Sequence, residues 1–221
     1  MSFNLKLAKV YKILLESYGK QNWWPINGKY LPKNSLNQKE IFEICLGAIL
    51  TQNTSWNNVE KTLKNLREKN LLDIDELRKI NLKKLAELIK SSGYNNQKAR
   101  KIKEFIKFLD SGNEITRENL LSVWGIGKET ADSILLYAYN RPYFVIDSYT
   151  KRIFSRLGFC DENLDYDKLQ ELFHKDLDNN SKLFNEYHAL IVQHAKSHCK
   201  KKPDCLSCPL RDDCKYFKET R

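Results

Sequence analysis

Apolar residues recur at three- and four-residue spacing over residues 5–17, 39–51, 56–69, 82–90 and 97–109. That period places them on one face of a helix, so each stretch predicts an amphipathic helix with a buried stripe. The same period runs through 115–123 and 128–139, and again through 148–157, 167–177 and 181–198. Asn37 before Glu40, and Thr116 before Glu118, are start signals, because their side-chain oxygens accept from first-turn amides. Residues 143–146 alone read as a possible strand, too short to imply a sheet. The pattern predicts an all-α fold without internal repeats or low-complexity segments. Boundaries are expected in the loop 21–35, which carries Gly and two prolines, and at Asn140-Arg141-Pro142. Proline disfavours helix in the residue before it.

Composition narrows this picture. A chain of 221 residues can form one large domain or two small ones, each with its own core, and 41% apolar residues mark it as globular. The formal charge of +10 and a pI near 9.2 point to a polyanionic partner. No apolar run approaches the roughly eighteen residues of a membrane span, and residues 1–20 alternate charge with apolar positions, unlike a signal peptide. A cytoplasmic location is expected.

Cys45 and Cys160 lie in apolar segments and read as small buried hydrophobes. The other four crowd the tail as Cys199-x5-Cys205-x2-Cys208-x5-Cys214. In a reducing compartment, metal ligation is the better reading of such a cluster than disulfides.

The densest motif is Val123-Trp124-Gly125-Ile126-Gly127-Lys128-Glu129-Thr130-Ala131, followed sixteen residues later by Asp147. Gly125 and Gly127 sit where a tight turn joins two helical segments, and glycine tolerates the positive φ such a turn needs. Amides beside the start of the next helix are a favourable place for a phosphate. The whole resembles the helix-hairpin-helix plus Gly/Pro…Asp signature of the endonuclease III (HhH-GPD) superfamily of DNA glycosylases. An ordinary αα-hairpin, with Asp147 as a helix N-cap, is the simpler alternative.

The resemblance spans residues 23–214 and implies the all-α HhH-GPD glycosylase fold. A six-helix barrel with the hairpin would occupy 26–139. A second helical domain would be formed by 1–25 and 140–221, with a [4Fe–4S] loop at 199–214. Asp147 would then be the catalytic carboxylate, stabilising a cationic sugar or activating water. The family's Val-Asp-Thr-His-x-x-Arg segment is matched by Ile146-Asp147-Ser148-Tyr149-Thr150-Lys151-Arg152.

Bifunctional members carry a lysine just before Thr-Ala, which attacks the sugar as a Schiff-base nucleophile. This chain has Glu129 there, and a carboxylate cannot form an imine, so monofunctional chemistry is expected. Favourable placement at a first helical turn is the bland reading of Glu129. Gln52 matches the residue that fills the gap left by a flipped nucleotide, and Tyr94 the residue that wedges into the opposite strand; capping loops are their simpler reading. Trp23, Trp24 and Phe42 resemble the aromatic pocket of the 3-methyladenine glycosylases of the endonuclease III type. Aromatic faces attract cationic alkylated purines, though the tryptophans could instead be core. Gly125, Gly127 and Lys128 would contact DNA at the hairpin, and Lys200, Lys201 and Lys202 at the cysteine loop.

Cys199, Cys205, Cys208 and Cys214 resemble the family's [4Fe–4S] pattern with one residue fewer in the first interval, and zinc remains an alternative. His194 and His198, one turn apart, read as structural or surface residues. The expected function is a monofunctional, nucleoid-associated glycosylase that acts as a monomer and frees alkylated purines from damaged double-stranded DNA. The rivals are a glycosylase/AP lyase using Lys128 or Lys151, and a non-catalytic damaged-DNA-binding protein.

Overall fold

The computed structural model describes residues 6–30 and 35–220. Residue 5 of the first predicted helix and residues 31–34 of the predicted linker lie outside them. The helices are α1 (Leu7–Tyr18), α2 (Gln38–Thr51), α3 (Trp56–Glu68), α4 (Ile74–Lys79), α5 (Leu82–Leu88), α6 (Asn95–Asp110), α7 (Arg117–Ser122), α8 (Lys128–Ser133), α9 (Ser148–Leu157), α10 (Tyr166–Asp176), α11 (Ser181–Ser197) and α12 (Lys215–Glu219). Short 3₁₀ turns cover Lys90–Ser92 and Arg211–Asp213, and α8 runs into a π-helical stretch, Ile134–Ala138. Among the described residues the one β contact is an isolated bridge between Ile26 and Lys29. Residues 143–146 are extended, with no partner strand among the described residues. The chain is all-α.

It divides into two compact units, Trp24–Arg141 and the pair Met1–Trp23 with Pro142–Arg221. In the first, α2 is buried from Phe42 through Leu50, so it is a central helix rather than an amphipathic surface one. A capping box starts it: Asn37 accepts from the Lys39 and Glu40 amides, while the Glu40 carboxylate accepts from the Asn37 amide. The buried carboxylate of Glu43 is met by Arg67 at 2.8 Å and by the Asn27 amide at 3.0 Å. α3, α6, α8 and the π stretch surround α2.

In the second unit α1 packs on α10 and α11, and α9 on α11 and α12. Its core is aromatic: Phe144 stacks on Phe173 at 3.8 Å, with Phe154, Phe184 and Tyr187 edge-on around them. The buried Tyr187 hydroxyl donates to the Leu7 carbonyl at 2.8 Å, tying α1 to α11.

Candidate functional site

The hairpin is α7, the turn Val123-Trp124-Gly125-Ile126-Gly127, and α8. A bidentate ion pair locks its two helices, with Arg117 Nε and Nη2 donating to the fully buried Asp132 carboxylate at 2.7 and 3.2 Å. Gly125 has φ +84, and a Cβ there would stand 2.5 Å from Lys101 Cγ, so both conformation and space demand glycine. Gly127 differs from expectation. Its φ of −97 suits any residue, and a Cβ would meet nothing within 4 Å; it opens the turn to approach rather than bending it. α6 buttresses the turn, with the Arg100 guanidinium 4.0 Å above the half-exposed Trp124 ring.

Gln52, at the end of α2, reaches into this hairpin. Its Nε2 donates to the Gly125 carbonyl at 3.1 Å and to Thr130 Oγ1 at 2.9 Å, and its Oε1 accepts from Lys101. Entry into a DNA gap requires it to leave those bonds. Tyr94 is 64% exposed and caps α6 in the left-handed region, φ +45. A bulky residue there is strained, and such outliers gather at functional sites. Lys98 holds the loop from beneath: its buried Nζ donates to the carbonyls of Leu50 at 2.8 Å and Ser92 at 2.6 Å. Burial, then the neighbouring Lys101, lowers its pKa to about 8. Sequence reasoning gave Lys98 no role.

Trp24 belongs to the unit of α2 and Trp23 to the other. Trp24 packs edge-on to Trp56 at 5.0 Å and against Tyr137 at 5.3 Å. A Cβ on Gly47 would come within 2.7 Å of the Trp24 ring, so that small residue makes the ring's seat. Phe42 is buried at the start of α2. Trp56, missed in the sequence, completes this aromatic group. Glu129 is exposed on the first turn of α8, and Lys128 precedes it at the helix start.

Asp147 is the N-cap of α9. Its Oδ1 accepts from the Thr150 amide at 2.7 Å and the Thr150 hydroxyl at 2.9 Å. Its Oδ2 lies 3.6 Å from His188 Nε2, too long for a hydrogen bond but close enough to act through charge. Burial opposes ionisation; His188 and Thr150 overcome it and hold the carboxyl below the ordinary range. The cap and the catalytic reading are therefore compatible, since capping occupies one oxygen. His188 was not found in the sequence, where the only sign of it is a histidine beside the apolar run Ala189-Leu190-Ile191.

The far half of α9 grips the cysteine loop. Arg152 donates to the Cys199 carbonyl at 2.9 Å, and Arg156 to the carbonyls of Lys200 and Lys201 at 2.7 and 3.1 Å. Those bonds fix the backbone and leave the Lys200, Lys201 and Lys202 side chains exposed. All four thiols line one small cavity with His194 and His198. Tyr18 joins the two histidines, its hydroxyl 2.9 Å from His194 Nδ1 and 2.7 Å from His198 Nδ1, and His194 Nε2 stands 3.8 Å from Cys208 Sγ. Burial, then His198, holds His194 down at about 4. Burial raises Cys205, Cys208 and Cys214, and the neighbouring sulfurs add to it, taking Cys208 to about 11. Among the described residues no three His, Cys, Asp or Glu side chains form a ready single-ion site. A shared cavity walled by four sulfurs is nevertheless the donor set that suits a thiolate-held cluster.

Residues 46–178 match the family model described as HhH-GPD superfamily base excision DNA repair protein. A Methanocaldococcus jannaschii protein that bears the name "putative DNA repair glycosylase" is 45% identical, over 94% of this chain and 95% of its own. Endonuclease III of Sulfolobus acidocaldarius is 33% identical, over 81% of this chain and 83% of its own. Among solved structures, H. pylori 3-methyladenine DNA glycosylase bound to 1,N6-ethenoadenine is similar at a TM-score of 0.71 and 32% identity, over 87% of this chain and 98% of that one.

Proposed function

The chain belongs to the HhH-GPD superfamily of base excision DNA repair proteins and is a DNA N-glycosylase; we propose that it is monofunctional and releases alkylated purines from damaged duplex DNA. The observation that carries the first part is Glu129, on the opening turn of α8, where the lyases of the resembled family carry lysine. Without an amine there, water takes the sugar carbon and the strand stays intact with an abasic site.

In this reading the hairpin turn and Lys128 hold the DNA backbone, with Lys200, Lys201 and Lys202 adding phosphate contacts. Tyr94 wedges the duplex, and Gln52 leaves the hairpin to fill the gap. Flipping is required because the target bond is inaccessible in a stacked duplex. Aromatic faces of Trp23, Trp24 and Phe42 favour a base made cationic by alkylation, by about 1–2 kcal/mol when desolvated. Asp147 stays anionic and stabilises the positive charge that develops on the sugar. Support for the substrate comes from the Trp24 aromatic group and the H. pylori relative.

Cys199, Cys205, Cys208 and Cys214 would hold a [4Fe–4S] cluster, which would order the loop and present its lysines.

Borohydride on abasic DNA tests the reading. Wild type should trap no adduct, and Glu129→Lys should gain one. A wild-type adduct that vanishes on mutating Lys128 or Lys151 would place the protein among the lyases.

A further inference from the structure

The extended run 143–146 leads to Asp147, yet among the described residues no strand lies beside it. Phe144, Val145 and Ile146 are at most 1% exposed, so their backbone groups cannot turn to water and need partners within the protein. α10 supplies several of them. His174 Nε2 accepts from the Phe144 amide at 3.1 Å, and Gln170 Nε2 donates to the Phe144 carbonyl at 2.7 Å. The Tyr166 hydroxyl accepts from the Ile146 amide at 3.3 Å. Residues four apart share a helix face, so Tyr166, Gln170 and His174 form one polar row along α10. That row takes the place of a neighbouring strand. Because His174 Nε2 accepts, the ring in its neutral form carries its proton on Nδ1. The Phe144–Phe173 stack fills the space between the polar contacts and stiffens the run.

The carboxylate itself is set from two further sides. Thr150 occupies Oδ1 through amide and hydroxyl, which fixes rotation of the side chain. His188 on α11 faces Oδ2, with both side chains nearly buried at 11% and 13% exposed. Electrostatic stabilisation of a developing cation depends steeply on where the charge stands, and a misplacement of about 1 Å can cost on the order of a hundredfold.

We infer that Tyr166, Gln170 and His174 on α10, with His188 on α11, form a frame that positions the Asp147 carboxylate for base release. The inference rests on the catalytic reading of Asp147. These four are positioning residues, acting through Asp147 and its approach rather than on the reacting atoms.

The test uses the full-length, metal-loaded protein with two probes. Single-turnover release is measured from methylated duplex DNA, and affinity with a duplex carrying a tetrahydrofuran abasic analogue. The variants are Tyr166→Phe, His188→Leu and His188→Gln, beside Asp147→Asn, all assayed well below their melting temperatures. Tyr166→Phe and His188→Leu should slow release by on the order of tenfold to a hundredfold while affinity stays within about twofold. His188→Gln, which keeps a polar N–H dipole facing Oδ2 without the ring's charge, should recover part of the rate that His188→Leu loses. Loss of release in Asp147→Asn with unchanged rates in Tyr166→Phe and His188→Leu would overturn the frame alone. Glutamine no better than leucine at 188 would likewise overturn the part of His188. Full release by Asp147→Asn would overturn the catalytic reading and the frame with it.

Discussion

The two ends of α9 are held by opposite means. At its start, Asp147 is fixed by groups of the chain itself: Thr150 on one oxygen, His188 opposite the other, and the α10 row behind its approach. Further along, Arg152 and Arg156 fasten a loop whose regular structure is slight, and whose four thiols share one cavity. A lone carboxylate can be positioned by hydrogen bonds and charge, and here they outweigh the cost of its burial. Four sulfurs crowded together repel one another on ionising, and a bound cationic centre is what offsets that repulsion. One end is therefore set by hydrogen bonds and packing; the other gathers four thiols in a donor set that would suit a metal centre.

The largest expected effect falls on the first end. Asp147→Asn keeps the side-chain oxygen that caps α9 but loses the charge. Base release should drop by at least about a hundredfold, with little change in melting temperature or in affinity for abasic-analogue duplex. Activity within a few-fold of wild type would reduce Asp147 to a cap and remove the contrast between the two ends.

Cys208→Ser should act on stability instead. Anaerobically purified wild type should be yellow-brown and contain iron, whereas the variant should lose colour and melt at least about 5 °C lower, the shift expected for roughly 2 kcal/mol in a chain of this size. Stoichiometric zinc in colourless wild-type protein would replace the cluster assignment. An unchanged melting point would mean that Arg152 and Arg156 suffice to hold the loop.

The smallest effect sharpens the comparison at the loop surface. Replacing Lys200, Lys201 and Lys202 with glutamate should flatten the log–log salt dependence of DNA affinity by about 2–3, since each phosphate contact contributes about 0.9. An identical slope would take the loop out of the DNA interface, leaving its fastening to α9 without a part in DNA binding.

Much of the fold could be read from the chain because a 3.6-residue period and a capping residue are local properties. α9 begins at Ser148 and ends at Leu157, as its pattern predicts, and the Asn37–Glu40 start of α2 is a true capping box. α4 and α12, with six and five residues, are too short to show a period and were not anticipated. The π stretch after α8 is a change of backbone register with no side-chain signature. The two hairpin glycines look alike in sequence, yet the turn gives a positive φ only to Gly125.

By itself, then, the sequence determined an all-α chain, a Gly-turned hairpin, the spacing from it to Asp147, and four clustered cysteines. Those follow from residue identity and short-range spacing. Tertiary structure decided what surrounds them: His188 opposite Asp147, the α10 row that stands in for a strand, Trp56 against Trp24, and the arginines that fasten the cysteine loop. His188 lies 41 residues beyond Asp147 and Trp56 lies 32 beyond Trp24, as their numbers give. No local pattern encodes such pairs, because burial and the need to satisfy buried polar groups are settled only when distant segments pack together.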